Sequence, residues 1–237
     1  MAMLQARSVT KRAELLRIAT DMFLEHGYDA VSVEAIVQRA GGTKTNVYKH
    51  FGGKAELFAA ALEGLCRELV RSITQVPCEG LQVEDALRAY GRKFLQTVLG
   101  ERALKQHRMI VAESVRFPDL GRRWIGVGPG AAYRSLAAYL AKQQARGKLR
   151  PGSPRRLATL FLDMLTFDLH QRSSVAGASP PKPQELRRIV DDAIQVFLYG
   201  AAQKPPKRAS LGTGADVLAD ARKRMGEGRL RVTRKAA

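Results

Sequence analysis

The feature that most constrains this chain is the spacing of its apolar residues. Segment after segment repeats them at i, i+3, i+4 and i+7, and no run alternates strictly in the manner of a half-buried strand, so the chain reads as all-α. In "KRAELLRIATDMFLEHG" the stripe is Leu15, Ile18, Ala19, Met22 and Phe23, and Gly27 is expected to stop the helix. "SVEAIVQRAGG" follows with Ser32 as N-cap and Val33, Ile36, Val37 and Ala40 inside. "TKTNVYKHF" begins at Thr43 in a capping position and offers the core Val47 and Phe51, helped by the ring of Tyr48. A long fourth helix runs from about Gly53 to just before Pro77 and is rich enough in good helix formers to join two parts of the molecule rigidly.

Further helices are expected at about 82–99, 102–116, in a short piece after Pro118, at 130–146, 153–172 and 184–200. Ser153 followed by Pro154 is a strong start signal for the first of the last two. That helix is apolar on nearly every side. The helix at 184–200 carries one stripe through Leu186, Ile189, Val190, Ala193, Ile194 and Phe197, and a second through Val196 and Leu198. Beyond Lys204 the pattern dissolves into a tail with ten basic residues against three acidic ones, apart from a weak helical patch near 215–225.

Composition enters through charge and chemistry. A formal net charge of +18 favours a polyanionic partner, nucleic acid or an acidic membrane surface. The most apolar run, 158–169, is too short to span a bilayer and includes Asp163 and Asp168, and no secretory signal opens the chain, so a soluble cytoplasmic protein with no membrane partner is expected. Cys66 and Cys78 read as packing residues in a reducing compartment. Four histidines (His26, His50, His107, His170), two cysteines and no phosphate-cradling glycine loop supply neither a catalytic triad nor a metal-ligand cluster, so no enzyme, metal or cofactor is expected.

The second and third helices, broken at Gly41, have the spacing of a helix-turn-helix, in which the second helix enters the major groove of double-stranded DNA. Thr43, Lys44, Thr45, Asn46, Tyr48 and Lys49 form its exposed face. Asn46 can pair with adenine, Lys44 with guanine, and the threonine methyls can touch thymine. Tyr48, Lys49 and His50 suit phosphates by their chemistry, and Lys54 adds a charge beside a helix N-terminus. A polar helix after a glycine pair can also be a plain solvated turn, and His50 by itself is as readily a packing or capping residue.

Residues 11–62 resemble the DNA-binding domain of the TetR/AcrR family of bacterial transcriptional regulators, through "MFLEHGYDAVSVEAIVQRAG" and "VYKHFGGKAELF" at the family's spacing. The resemblance assigns Thr43, Lys44, Thr45, Asn46, Tyr48, His50 and Lys54 to DNA-contacting positions. It departs from the family at Gly42, Thr45 and Gly53. "RMIVAESVRFPDLGRRW" and "AAYLAKQQARGKLRPGSP" resemble an AefR-type regulatory domain. The resemblance implies a homodimer reading a palindromic operator and a helical sensor domain for a small-molecule effector, hence a ligand-released repressor.

The expected organisation is a helix-turn-helix DNA-binding domain at 1–58, a helical ligand-binding and dimerisation domain at 59–202, and a basic tail at 203–237. Surplus apolar surface on the last two helices assigns Leu160, Met164, Ile189, Ile194 and Phe197 to a four-helix interface with the symmetry mates. His107, Glu113, Trp124, Met164, Phe167 and His170 are candidates for lining a cavity between helices. The alternative function is a non-specific or architectural DNA-binding protein, suggested by the charge and the tail.

Overall fold

The apolar stripes above dictate how the helices pack. The computed structural model describes residues 2–201, and among these the regular structure is entirely helical: α1 (Ala2–Ala30), α2 (Val33–Ala40), α3 (Lys44–Phe51), α4 (Lys54–Thr74), α5 (Val83–Val98), α6 (Glu101–Glu113), α7 (Pro118–Val127), α8 (Pro129–Ala145), α9 (Pro154–Ser174) and α10 (Pro183–Tyr199). The described residues up to 198 form one compact unit. The basic tail and its expected helical patch lie outside the described residues.

Two hydrophobic cores share the first unit. The first gathers Leu15, Ala19 and Phe23 of α1, Ile36 of α2, Val47 of α3 and Leu57, Phe58 and Ala61 of α4, all fully buried. Gly27 breaks the helical dihedrals (φ 80°, ψ 175°), as its lack of Cβ permits, and so interrupts α1 where the sequence places the stop, with Tyr28 to Ala30 lying beyond the kink. Just past it, Tyr28 packs its ring 4.9 Å from that of Phe58 and 5.0 Å from that of Phe117. Each buried ring contributes roughly 1.5–3 kcal/mol by leaving water.

This core does not end at residue 58. Ile110 of α6 and Leu120 of α7, both 3% exposed, belong to it, with Met109, Phe117 and Trp124 packed on its edge. The second core brings together Leu87, Phe94 and Leu95 of α5, Leu136 and Leu140 of α8, Phe161, Leu162 and Leu165 of α9, and Val190 and Ile194 of α10. Tyr90 ties α5 to α8 by donating its hydroxyl to the Ala132 carbonyl at 2.8 Å. The long α4 serves both cores, with Leu57, Phe58, Ala61 and Leu62 in the first and Ile73 in the second.

Ile194, expected on a subunit interface, is instead completely buried in the protomer's own second core. It continues the Leu186, Val190 and Ala193 stripe, and that stripe is the inward face of α10. Ile189 and Phe197 are half-buried against the same core, the Phe197 ring 5.2 Å from that of Phe161. Leu160 and Met164 point outward from α9.

Candidate functional site

Two surfaces stand out, and the first is α3. Its start is fixed by three local devices. Ser32 caps α2 by accepting the Ala35 N–H at 3.0 Å, Gly41 ends α2 in the left-handed conformation (φ 64°), and Thr43 caps α3 by accepting the Asn46 N–H at 3.3 Å. The ammonium of Lys11 bonds the Ala40 carbonyl at the same turn and pairs with Glu14 at 3.1 Å. Val47 is the one fully buried residue of α3, and Phe51 is half-buried under the Arg12 guanidinium, 4.8 Å from its centroid.

Everything else on α3 faces outward or lies partly covered. Thr43, Lys44, Thr45, Tyr48 and Lys49 are exposed, and Asn46 and His50 are half-buried. His50 lies against Phe51, with ring centroids 6.3 Å apart. Lys44 is ion-paired with Glu34, whose carboxyl this partner holds below its ordinary range. Lys54, the first residue of α4, has its ammonium 3.4 Å from the Asp29 carbonyl and 4.3 Å from the centroid of Tyr28. Lys11 and Arg12 were not among the expected contacts although they frame the turn and the end of α3. Lys11 is 29 residues from Ala40, and Arg12 is further still from Phe51, beyond any local pattern.

The second surface is a cavity of about 250 Å³ between α4, α5, α6, α9 and the α7–α8 turn. Of the residues expected there, His107, Trp124, Phe167 and His170 do line it. Glu113 does not. It lies six residues beyond His107 on α6, roughly 9 Å along the axis, where its charge acts on Tyr28 and Arg116 instead. Met164 precedes the lining part of α9 and is exposed on the outside. Cys66 lines the cavity too, its thiol pushed up to about 11 by burial, and the α7–α8 turn approaches it closely. A Cβ on Gly128 would stand 2.5 Å from the Cys66 sulfur.

Two imidazoles mark the polar side of this cavity. The His107 and His170 rings meet edge to face at 4.3 Å, and His107 lies 5.6 Å from the indole of Trp124. Burial pulls the His107 pKa down to about 4, with His170 and Arg108 adding to the effect, and burial lowers that of His170 as well. Both rings are therefore neutral at neutral pH. The buried Nδ1 of His107 has no hydrogen-bond partner.

Two stretches of the chain match known protein families. Residues 15–61 match the model of bacterial regulatory proteins of the tetR family, and residues 85–201 match that of the AefR-like transcriptional repressor C-terminal domain. A transcriptional regulator of the helix-turn-helix type from Mycobacterium bovis, Mb3439c, is 31% identical over 188 residues, covering 78% of this chain and 88% of the relative. This chain belongs to the TetR family. Among solved structures of that family, a regulator from Mesorhizobium loti superposes with a TM-score of 0.75 at 30% identity, covering 81% of this chain and 96% of that one. The flavonoid-responsive regulator FrrA gives a TM-score of 0.70 at 31% identity, covering 79% and 95%. The TetR-family chain is accordingly a DNA-binding transcriptional regulator rather than an enzyme. Among its described residues no helix is long and apolar enough to cross a membrane, and no group of His, Cys, Asp and Glu is arranged to hold a metal ion.

Proposed function

We propose that this TetR-family regulator acts as a homodimeric repressor that a small molecule in the α4–α9 cavity releases from a palindromic operator. Residues up to about 58 read DNA and residues 59–202 sense and dimerise. In this reading Asn46 and Lys44 contact base edges, with the threonine methyls, while Tyr48, Lys49, His50 and Lys54 hold phosphates. Two such faces must be presented roughly 34–36 Å apart to enter successive major grooves. Leu160, Met164 and Phe167, 44–72% exposed along one side of α9, supply apolar surface for a symmetric partner, flanked by Ile189, Val196 and Phe197 of α10.

The observation that carries the release mechanism is on α6. His107 lines the cavity, and Ile110, one turn later, is buried in the core that supports α3. A molecule that displaces His107 therefore acts on the seating of the DNA-reading helices. Trp124 offers a second route, being cavity wall and neighbour of the same core at once. A third runs along the surface: Arg116, between α6 and α7, pairs with Asp29 at 2.7 Å and covers the Tyr28 ring at 4.9 Å, while Lys54 sits on that same ring. FrrA, named for its response to flavonoids, supports a small-molecule effector for a chain of this shape.

Fluorescence anisotropy of the full-length protein tests the DNA half of this reading. DNA from upstream of its own gene is compared with unrelated DNA of equal length, at low and at physiological salt. A complex with the upstream DNA alone that survives physiological salt is expected. Equal, salt-labile binding to both would favour an architectural role, for which the +18 charge is the argument. Release by ligand must be reciprocal: an effector that frees DNA binds the operator complex more weakly than the free protein by the same factor.

A further inference from the structure

The chemistry of the cavity limits what can occupy it. Among the described residues that line it, none is lysine, arginine, aspartate or glutamate, so an ionised ligand would lose its hydration without gaining a counter-charge. Its walls are largely apolar, with the indole of Trp124 on one side.

Most polar side chains in the wall are already engaged. Gln106 donates its amide to the Leu62 carbonyl at 2.6 Å, and Tyr133 donates its hydroxyl to Asp163 at 2.5 Å. The hydroxyls of Thr97 and Thr166 donate to the carbonyls of Lys93 and Leu162, both at 2.8 Å. Gln171 stands at the exposed rim. The lining groups without such a bond include the Cys66 thiol and the His107–His170 pair, in which the Nδ1 of His107 is buried and lacks a partner.

A neutral imidazole offers one N–H donor and one nitrogen acceptor. A ligand without a donor leaves the acceptor unsatisfied, and a carboxylate meets an uncharged ring. A phenolic hydroxyl suits the pair better. It is uncharged at neutral pH, it donates more strongly than an aliphatic alcohol, and the ring that carries it can pack against the indole.

We propose that this cavity selects an uncharged aromatic molecule bearing a hydroxyl group, with the hydroxyl donating to the His107–His170 pair and the ring lying against Trp124. The assignment rests on the reading of the cavity as the effector site and names the chemical class that site takes.

Trp124 is the chain's one tryptophan, so its emission reports occupancy directly. Three probes of matched shape decide the matter on full-length protein at neutral pH: 4-propylphenol, its methyl ether 4-propylanisole, and 4-propylbenzoate. Quenching by the phenol at an affinity about tenfold or more above either of the others is expected, the factor that one hydrogen bond to a buried acceptor supports. His107→Leu should bring the phenol and the ether to equal affinity. If that variant fails to fold, the three-probe ranking on the native protein stands as the test.

Benzoate binding as tightly as the phenol, equal binding of phenol and ether, or quenching by none of the three would each overturn the proposal. Operator release followed on the same samples separates it from the wider reading. Phenol that binds without releasing operator DNA supports the chemical class and removes the release mechanism. Release by benzoate but not by phenol removes the chemical class and keeps the mechanism.

Discussion

Helix α3 and helix α9 both display more surface than the fold needs, and they display opposite kinds. On α3 a single residue, Val47, is fully buried, and the outward face is hydroxyl, amide and ammonium groups. On α9 the buried face runs through Ala158, Phe161, Leu162, Leu165 and Leu169, yet the outer side still shows Leu160, Met164 and Phe167. The polar face can remain in water at little cost until a polyanion replaces that water. The apolar face is unfavourable in water at all times and gains from being covered. On the reading proposed above, one helix meets an intermittent partner and the other a lasting one.

The contrast is tested most severely by Met164→Glu. The side chain is exposed in the protomer, so the fold should survive. The proposed dimer should not, and sedimentation should show monomers. Operator affinity should fall on the order of a hundredfold or more, because the two half-sites would no longer be held together. A dimeric Met164→Glu protein would move the lasting interface off α9. Next in size is Asn46→Ala, which should relax preference at one operator position by about 1–3 kcal/mol, read from binding to a set of single-base variants.

Lys54→Ala should weaken binding to every sequence alike and lower the salt slope by about one counterion, and an unchanged slope would remove Lys54 from the phosphate contacts. His107 governs a response to pH. Its folded pKa of about 4 lies below its ordinary 6.5, so between those values the unfolded chain holds a proton the folded chain refuses. Its contribution to stability is complete above 6.5 and is lost as the pH falls towards 4. His170 shifts in the same direction, and the nearby Arg108 favours the neutral ring. Thermal melting followed across that range should decline less steeply in His107→Gln.

How far the sequence could be read depended on whether a feature was local. The caps at Ser32 and Thr43, the turn at Gly41 and the burial of Val47 follow from neighbours a few residues away and were legible, whereas Tyr48, expected to help fill the core, is exposed and leaves Val47 the one fully buried residue of α3. The cavity was legible only in part, because helices from distant stretches of chain assemble it. His107, Trp124, Phe167 and His170 could be picked out, but Glu113 and Met164 share their helices and not their depth along them. Ile194 shows a different limit. Two apolar stripes on α10 announce two packed faces, but periodicity does not say which of them the protomer keeps for itself.

The place of Ile110 and Leu120 in the first core bears on how such a regulator could be rewired. A hybrid that joined residues 1–58 to a foreign sensor would carry its DNA-reading helices away from two side chains that fill their underside. Each hole of that kind costs about 2–5 kcal/mol unless the new sensor happens to plug it. The portable part is therefore discontinuous, comprising the first four helices and a patch of α6 and α7 taken from beyond the intervening α5. Exchange of sensors along this fold is a matter of matching two plugs to their sockets, and a seam placed by counting residues from the start of the chain would miss both.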